Sequence, residues 1–222
     1  MTAAPRVGLL GGTFDPIHEG HLSAARSAWT ALGLTRLLFV PSRQPPHRPG
    51  APRASASHRF AMVALAVAGH PGWEACDLEL EREGPSYSFD TLTALHQAGC
   101  PPRQLYFVIG SDAFAAIASW SRYPEVLDAA HFVVIARPGT PIDSLAARVP
   151  ALAPRMVPVG TLGDQPRPAI ACLEVRTPDL SSTEIRAHAA RGDAALDAAV
   201  PAAVATHIAQ HRLYAPSPSA VR

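Results

Sequence analysis

The chain has 222 residues, 48% of them hydrophobic and 17% charged, which fits one domain with a sizeable core, expected over residues 1–214 with 215–222 as a flexible tail. A formal net charge of +1 gives no global field for nucleic acid or an acidic membrane surface, and no 18-residue apolar run predicts a membrane span. All 19 basic residues are arginine, so lysine Schiff-base chemistry and the Gly-Lys-Ser/Thr phosphate loop are both excluded.

In chain order, "RVGLL" (6–10) predicts a first buried strand that runs into "GGTFDPIHEGH". The paired glycines Gly11 and Gly12 let backbone approach a ligand closely, and a helix is expected from about Glu19. His18 and His21, three apart, then share one face of its first turn, beside free amides that favour an anion. A partial metal site is the rival reading of H-x-x-H, but no third ligand stands nearby in sequence. "HLSAARSAWTALG" reads as the helix, with Gly33 at its C-cap, and "RLLFV" (36–40) as the second strand.

Residues 41–57 carry five prolines and predict a loop. "SASHRFAMVALAVAG" and "SYSFDTLTALHQAG" follow as helices closed by Gly69 and Gly99. "QLYFVIG" (104–110) and "HFVVIA" (131–136) are continuous apolar strands flanking a helix at "SDAFAAIASW". Residues 138–168 show no clear period; "ACLEV" (171–175) is a late strand, and helices are expected from about Ser182 and from Pro201. The alternation predicts an α/β fold, a Rossmann-like doubly wound parallel sheet with helices on both faces. Cys76, Cys100 and Cys172 have no metal or disulfide spacing and suit a reducing compartment; with no signal-like N-terminus, a cytoplasmic location is expected.

In "LSSTEIR" (180–186), Ser181 or Ser182 can cap a helix whose first turn holds Glu184. An ordinary capped helix explains that much. Thr183 and Arg186, three apart, add a hydroxyl and a guanidinium on one face, again suited to an anion. The dinucleotide pattern G-x-G-x-x-G is absent from the first turn, which disfavours an oxidoreductase.

"GGTFDPIHEGH" and "SSTEIR" together resemble the two signatures of the nucleotidyltransferase superfamily. The segments "PPHR" (45–48), "GPSYSFDTL" (84–92), "FVIGSD" (107–112), Trp120 and "ARPG" (136–139) are similar to bacterial nicotinate-nucleotide adenylyltransferases. The match runs in order from residue 7 to about 190; lysine is common in that family where Arg48 stands, and isoleucine where Leu180 stands. The resemblance implies adenylyl transfer from ATP to nicotinate mononucleotide, giving deamido-NAD and pyrophosphate in NAD biosynthesis. It implies that His18, His21 and Arg186 are catalytic and contact the triphosphate. Gly11, Gly12, Thr13 and Phe14 are expected around ATP with Gly110, Asp112, Ser182 and Thr183. For the mononucleotide it implies His47, Arg48 and Arg137, the run Ser86, Tyr87 and Ser88, and Trp120 as a stacking face. Taken singly, Trp120 reads equally well as core and Arg48 as a solvated charge.

Mg²⁺ is expected to ride on the phosphates with no protein ligand set. The partners implied are small-molecule substrates, not nucleic acid or membrane; a homo-oligomer is left open. Phosphopantetheine and glycerol-phosphate nucleotidyltransferases are disfavoured by "SYSFDTL" and by length. A nucleotide-binding regulator without turnover is disfavoured by the intact His18, His21 and Arg186.

Overall fold

The computed structural model describes residues 4–46, 50–136, 146–175 and 177–216. His47, Arg48 and Arg137 lie outside the described residues, as does the end of the tail. Six parallel strands form one sheet in the order β3-β2-β1-β4-β5-β6. They are β1 (Val7–Gly12), β2 (Arg36–Pro41), β3 (Trp73–Ala75), β4 (Leu105–Gly110), β5 (His131–Ala136) and β6 (Ile170–Glu174). The helices are α1 (Glu19–Leu32), α2 (Ala56–Val67), α3 (Leu78–Glu81), α4 (Ser88–Gln97), α5 (Ser111–Ala115), α6 (Ser182–Arg191), α7 (Ala195–Ala199) and α8 (Ala202–Gln210).

Both faces of the sheet are covered, so its strands are apolar on both sides. On one face Leu10, Phe39, Val108 and Val133 join the buried residues of α1, α2, α6 and α8. On the other, Leu9, Val40, Phe107 and Phe132 pack with Leu92 and Leu95 of α4 and Phe114 of α5. The chain winds from β1 outward through β2 to β3, then crosses back to place β4 on the other side of β1. That reversal makes a crevice at the carboxyl ends of β1 and β4, where open α/β sheets bind ligands. β1 ends there on Gly11 and Gly12, and β4 on Gly110.

The sequence reading and the fold differ in a few places. Gly33 and Gly99 do close their helices in the left-handed region, at φ of 58° and 92°. Gly69 does not: α2 is capped by Ala68 in the right-handed region. The sharp bend falls instead at Gly72, with φ of 80°, and it feeds the unanticipated β3. Three residues are too few for a periodic signal, yet β3 places Trp73 in the core against Phe39. The helix expected over "SDAFAAIASW" stops at Ala115 and continues as a 3-10 turn over Ile117–Ser119. Two more 3-10 segments, Pro150–Arg155 and Val159–Asp164, order part of the stretch that lacked a period. Between them Val157 donates to the Ile170 carbonyl at 2.8 Å, which ties the segment to β6. Among the described residues no helix is long and apolar enough to cross a membrane.

His131 opens β5 fully buried, stacked on Tyr106 at 5.0 Å, with Nδ1 accepting from the Ala169 amide at 3.2 Å. Burial pushes its pKa down to about 4. The unfolded chain therefore binds a proton that the folded chain refuses between about pH 6.5 and 4. Its contribution to stability is fully present above pH 6.5 and is lost as pH falls through that window. Over it, wild-type unfolding free energy should drop by about 2–4 kcal/mol from this group alone. A His131→Asn variant, followed by denaturant melts across pH 4–7, should lose about one proton equivalent of that slope. An unchanged slope would show that His131 is not the titrating group.

Candidate active site

The loop after β1 is shaped by aromatic packing. Phe14 has a φ of 48°, a backbone region rarely used by a bulky side chain, and costs of order 1–3 kcal/mol. It is held by burial against Phe39, with centroids 6.2 Å apart, and against the edge of His21 at 5.1 Å. The glycines flanking this packing make room for rings. A Cβ on Gly12 would sit 3.1 Å from the Phe14 ring, and one on Gly20 would sit 3.0 Å from the His18 ring. Gly110, by contrast, has nothing within 4 Å of such a Cβ, so it leaves the end of β4 open.

His18 is the buried N-cap of α1, and His21 is its third helical residue. The two rings are 3.7 Å apart, and His21 Nδ1 accepts from the His18 backbone amide at 3.3 Å. An accepting Nδ1 carries no proton, which assigns the neutral ring's proton to Nε2 and makes that nitrogen a donor.

Asp15 anchors the next layer. Its buried carboxylate accepts from the Arg53 amide at 2.7 Å, the Ala54 amide at 3.1 Å and the Tyr214 hydroxyl at 2.8 Å. Arg59, the largest fully buried side chain, donates to the Thr13 carbonyl at 2.7 Å. Burial pushes the Arg59 guanidinium down, and the Asp15 charge opposes that shift. Burial and the same carboxylate push Tyr214 up, so it stays a phenol and a donor. Arg186 donates to the Asp15 carbonyl at 2.8 Å and to Thr183 Oγ1 at 3.1 Å. The hydroxyl of Ser182 donates to the Pro16 carbonyl at 3.2 Å. Ser181, not Ser182, caps α6: its Oγ accepts from the Glu184 amide at 3.2 Å and donates to the Glu184 carboxylate at 2.7 Å.

These elements line a cleft of about 600 Å³ at the switch point. Gly11, Gly12, Thr13, Phe14, His18 and His21 form one wall with Ser182 and Thr183. Gly110, Asp112 and Trp120 form another with Ser86, Tyr87 and Ser88. Trp120 stands edge-on to Phe107 at 5.9 Å, half core and half cleft. Asp112 is 95% exposed and lies 4.0 Å from Arg148. Arg186 stands behind Thr183 rather than on the wall itself.

Ser86 lines the cleft and also braces it. Its hydroxyl accepts from the Arg43 and Gln44 amides at 2.9 and 3.3 Å and hydrogen-bonds Glu79. Glu79 is buried on the cleft wall, and burial raises its pKa; its carboxylate also accepts from Thr91 at 2.7 Å. Sequence reasoning missed Glu79, Asp15, Arg59, Tyr214 and Ser42. Ser42 carries a buried hydroxyl on the cleft wall with no hydrogen-bond partner among the described residues.

Three helices of ten residues or more, α1, α4 and α6, open with their first turns on this cleft. Each brings unpaired amides and the positive end of a helix dipole. A cleft so built takes a polyanion. The cytidylyltransferase-like family model matches residues 9–188, which includes both ends of the cleft. A probable nicotinate-nucleotide adenylyltransferase of Symbiobacterium thermophilum is 40% identical over 94% of this chain and 95% of its own. Another, from a Roseiflexus species, is 41% identical over 86% of this chain and 89% of its own.

The chain belongs to the nicotinate-nucleotide adenylyltransferase family. It is an enzyme of the nucleotidyltransferase class, as the paired signatures implied. The fold agrees: Plasmodium falciparum nicotinic acid mononucleotide adenylyltransferase, solved in complex with NaAD, superposes with a TM-score of 0.69 at 18% identity. That match covers 95% of this chain and 98% of the other.

Within this family frame, the Asp15 network holds the cleft's first wall. Tyr214→Phe removes one of three donors to a buried carboxylate and should cost about 1–2 kcal/mol in a denaturant melt. Asp15→Asn turns an amide group toward those donors and strips the charge beside Arg59; its cost should be larger, about 2–4 kcal/mol. A reversed order would move the anchor from Asp15 to the phenol.

Proposed function

We infer that this enzyme transfers the adenylyl group of ATP to nicotinate mononucleotide, giving nicotinate adenine dinucleotide and pyrophosphate in the cytoplasm. The observation that carries the reading is the convergence of three helix N-termini and the His18–His21 pair on one cleft at the β1/β4 crevice. A phosphate oxygen of the mononucleotide attacks the α-phosphorus, and the bond to the bridging oxygen of the β-phosphate breaks. Pyrophosphate leaves. The nucleophile is already anionic at neutral pH, so the site needs no general base, only positioning and charge stabilisation.

The triphosphate lies against Gly11–Phe14 and the first turns of α1 and α6. The Nε2 donor of His21 and the ring of His18 meet the oxygens that gain charge. Arg186, held by the Asp15 carbonyl and Thr183, offers its remaining donors to the phosphates. Gly110 leaves room for the nucleoside beside Asp112. The nicotinate ring stacks on Trp120, and its carboxylate meets the uncapped first turn of α4 at Tyr87 and Ser88. His47, Arg48 and Arg137 belong to the mononucleotide side of this proposal on the family resemblance alone.

A divalent cation is part of the same proposal. Asp15 spends its carboxylate on protein donors, and Glu79 is buried and hydrogen-bonded. With Asp112 facing solvent on its wall, the cleft suits a Mg²⁺ that arrives on the triphosphate and keeps its waters. When bound, it neutralises charge on the phosphate oxygens.

His18→Ala and His21→Ala should each lower kcat by on the order of 10²-fold, with modest loss of ATP affinity, because a preorganised donor is lost. Near-wild-type turnover in either variant would remove that ring from the chemistry. The test of the substrate assignment is kcat/KM for nicotinate against nicotinamide mononucleotide, read by pyrophosphate release. Backbone amides at α4 favour an acceptor-only carboxylate; the carboxamide turns its NH₂ toward a donor, at about 1–3 kcal/mol. The expected preference for nicotinate is about one to two decades or more. Equal efficiencies would defeat the assignment, and a preference lost in Trp120→Ala would move the discriminating contact off α4.

A further inference from the structure

Away from the cleft, three imidazoles meet where α8 packs on α2. His58 lies in the first turn of α2; His207 and His211 lie four apart, one above the other, at the end of α8. His58 Nδ1 and His207 Nε2 are 3.2 Å apart, and one nitrogen from each of the three rings falls within 4.8 Å of the others. Ring centroids are separated by 5.3, 4.8 and 4.4 Å. Nothing in the adenylyl-transfer reading uses this cluster.

We propose that His58, His207 and His211 form a three-histidine site for a zinc-class divalent transition metal that staples the C-terminal helix to α2. Tetrahedral ligation at a Zn–N distance of about 2.0–2.1 Å sets ligand nitrogens roughly 3.3–3.4 Å apart, which His58 and His207 already meet. His211 is exposed and needs a shift of little more than an ångström to close the set. Imidazole is a ligand suited to zinc, copper and nickel, and the exposed edge leaves a fourth position to water. The ligands must be neutral. Metal uptake at these rings therefore competes with protons.

The site has a structural consequence. Four residues past the end of α8, Tyr214 reaches the Asp15 carboxylate, and three and two residues before α2 begins, the Arg53 and Ala54 amides reach the same group. A metal at the α2–α8 contact clamps together the two segments that hold Asp15.

The experiment uses the untagged full chain stripped with a chelator. Zn²⁺ is titrated by calorimetry and Co²⁺ by its visible absorption, with Tm read at each metal level. Wild type should take up one ion with an imidazole-type tetrahedral Co²⁺ spectrum. At a hundredfold excess over Kd, Tm should rise by about 5–10 °C. His207→Ala/His211→Ala, and separately the exposed His211→Asn, should weaken zinc binding at least about tenfold while metal-free Tm stays close to wild type. His211→Asn serves where the double variant fails to fold. Absence of zinc uptake by wild type overturns the proposal. Zinc affinity and stoichiometry unchanged in His211→Asn also overturn it, since they place the ion elsewhere, such as at His18 and His21.

Discussion

One buried carboxylate organises the functional end of this molecule. Asp15 collects two backbone amides from the segment before α2 and a phenol from the C-terminus, while its own carbonyl fixes Arg186. A carboxylate at 4% exposure is tolerable only because every one of these partners donates. The consequence is geometric. The loop between β1 and α1 is pinned from three directions, so Phe14 keeps a positive φ and His18 and His21 keep their relative pose. Arg59 adds a buried positive charge beside it and ties the Thr13 carbonyl. The site's rigidity is thus borrowed from residues that never meet a substrate.

Much of this was legible in the sequence, and the reason is local. The paired glycines, the Pro turn and the two histidines all act within a dozen residues, and the buried parallel strands announce themselves as continuous apolar runs. "SSTEIR" was readable too, since capping chemistry is a short-range pattern. What the sequence concealed is long-range. Asp15 and Tyr214 stand 199 residues apart, and no periodicity links them. Ser86 adds a long-range role that its sequence position did not disclose: it lines the cleft, and its hydroxyl braces Arg43, Gln44 and Glu79. The paired glycines read as close backbone approach to a ligand, and both do line the cleft; neither takes a positive φ, and Gly12 also makes space for the Phe14 ring.

The absence of lysine sharpens the electrostatic argument. A nucleotide site needs positive potential, and this chain can supply it only by arginine, histidine or the backbone. Arginine is costly to hold unpaired near a cleft, so Arg186 and Arg59 are both tied to carbonyls of the β1–α1 loop. The cleft wall itself is lined by amide groups and the imidazoles of His18 and His21. Amides at the first turns of α1, α4 and α6 carry no net charge and need no counter-ion when the cleft is empty. They still favour anions strongly once water is displaced, because dipoles fixed by the fold need not reorganise. The fold therefore stores the binding potential in the directions of its helices. Those directions are in turn set by a doubly wound sheet whose chain reversal falls between β1 and β4.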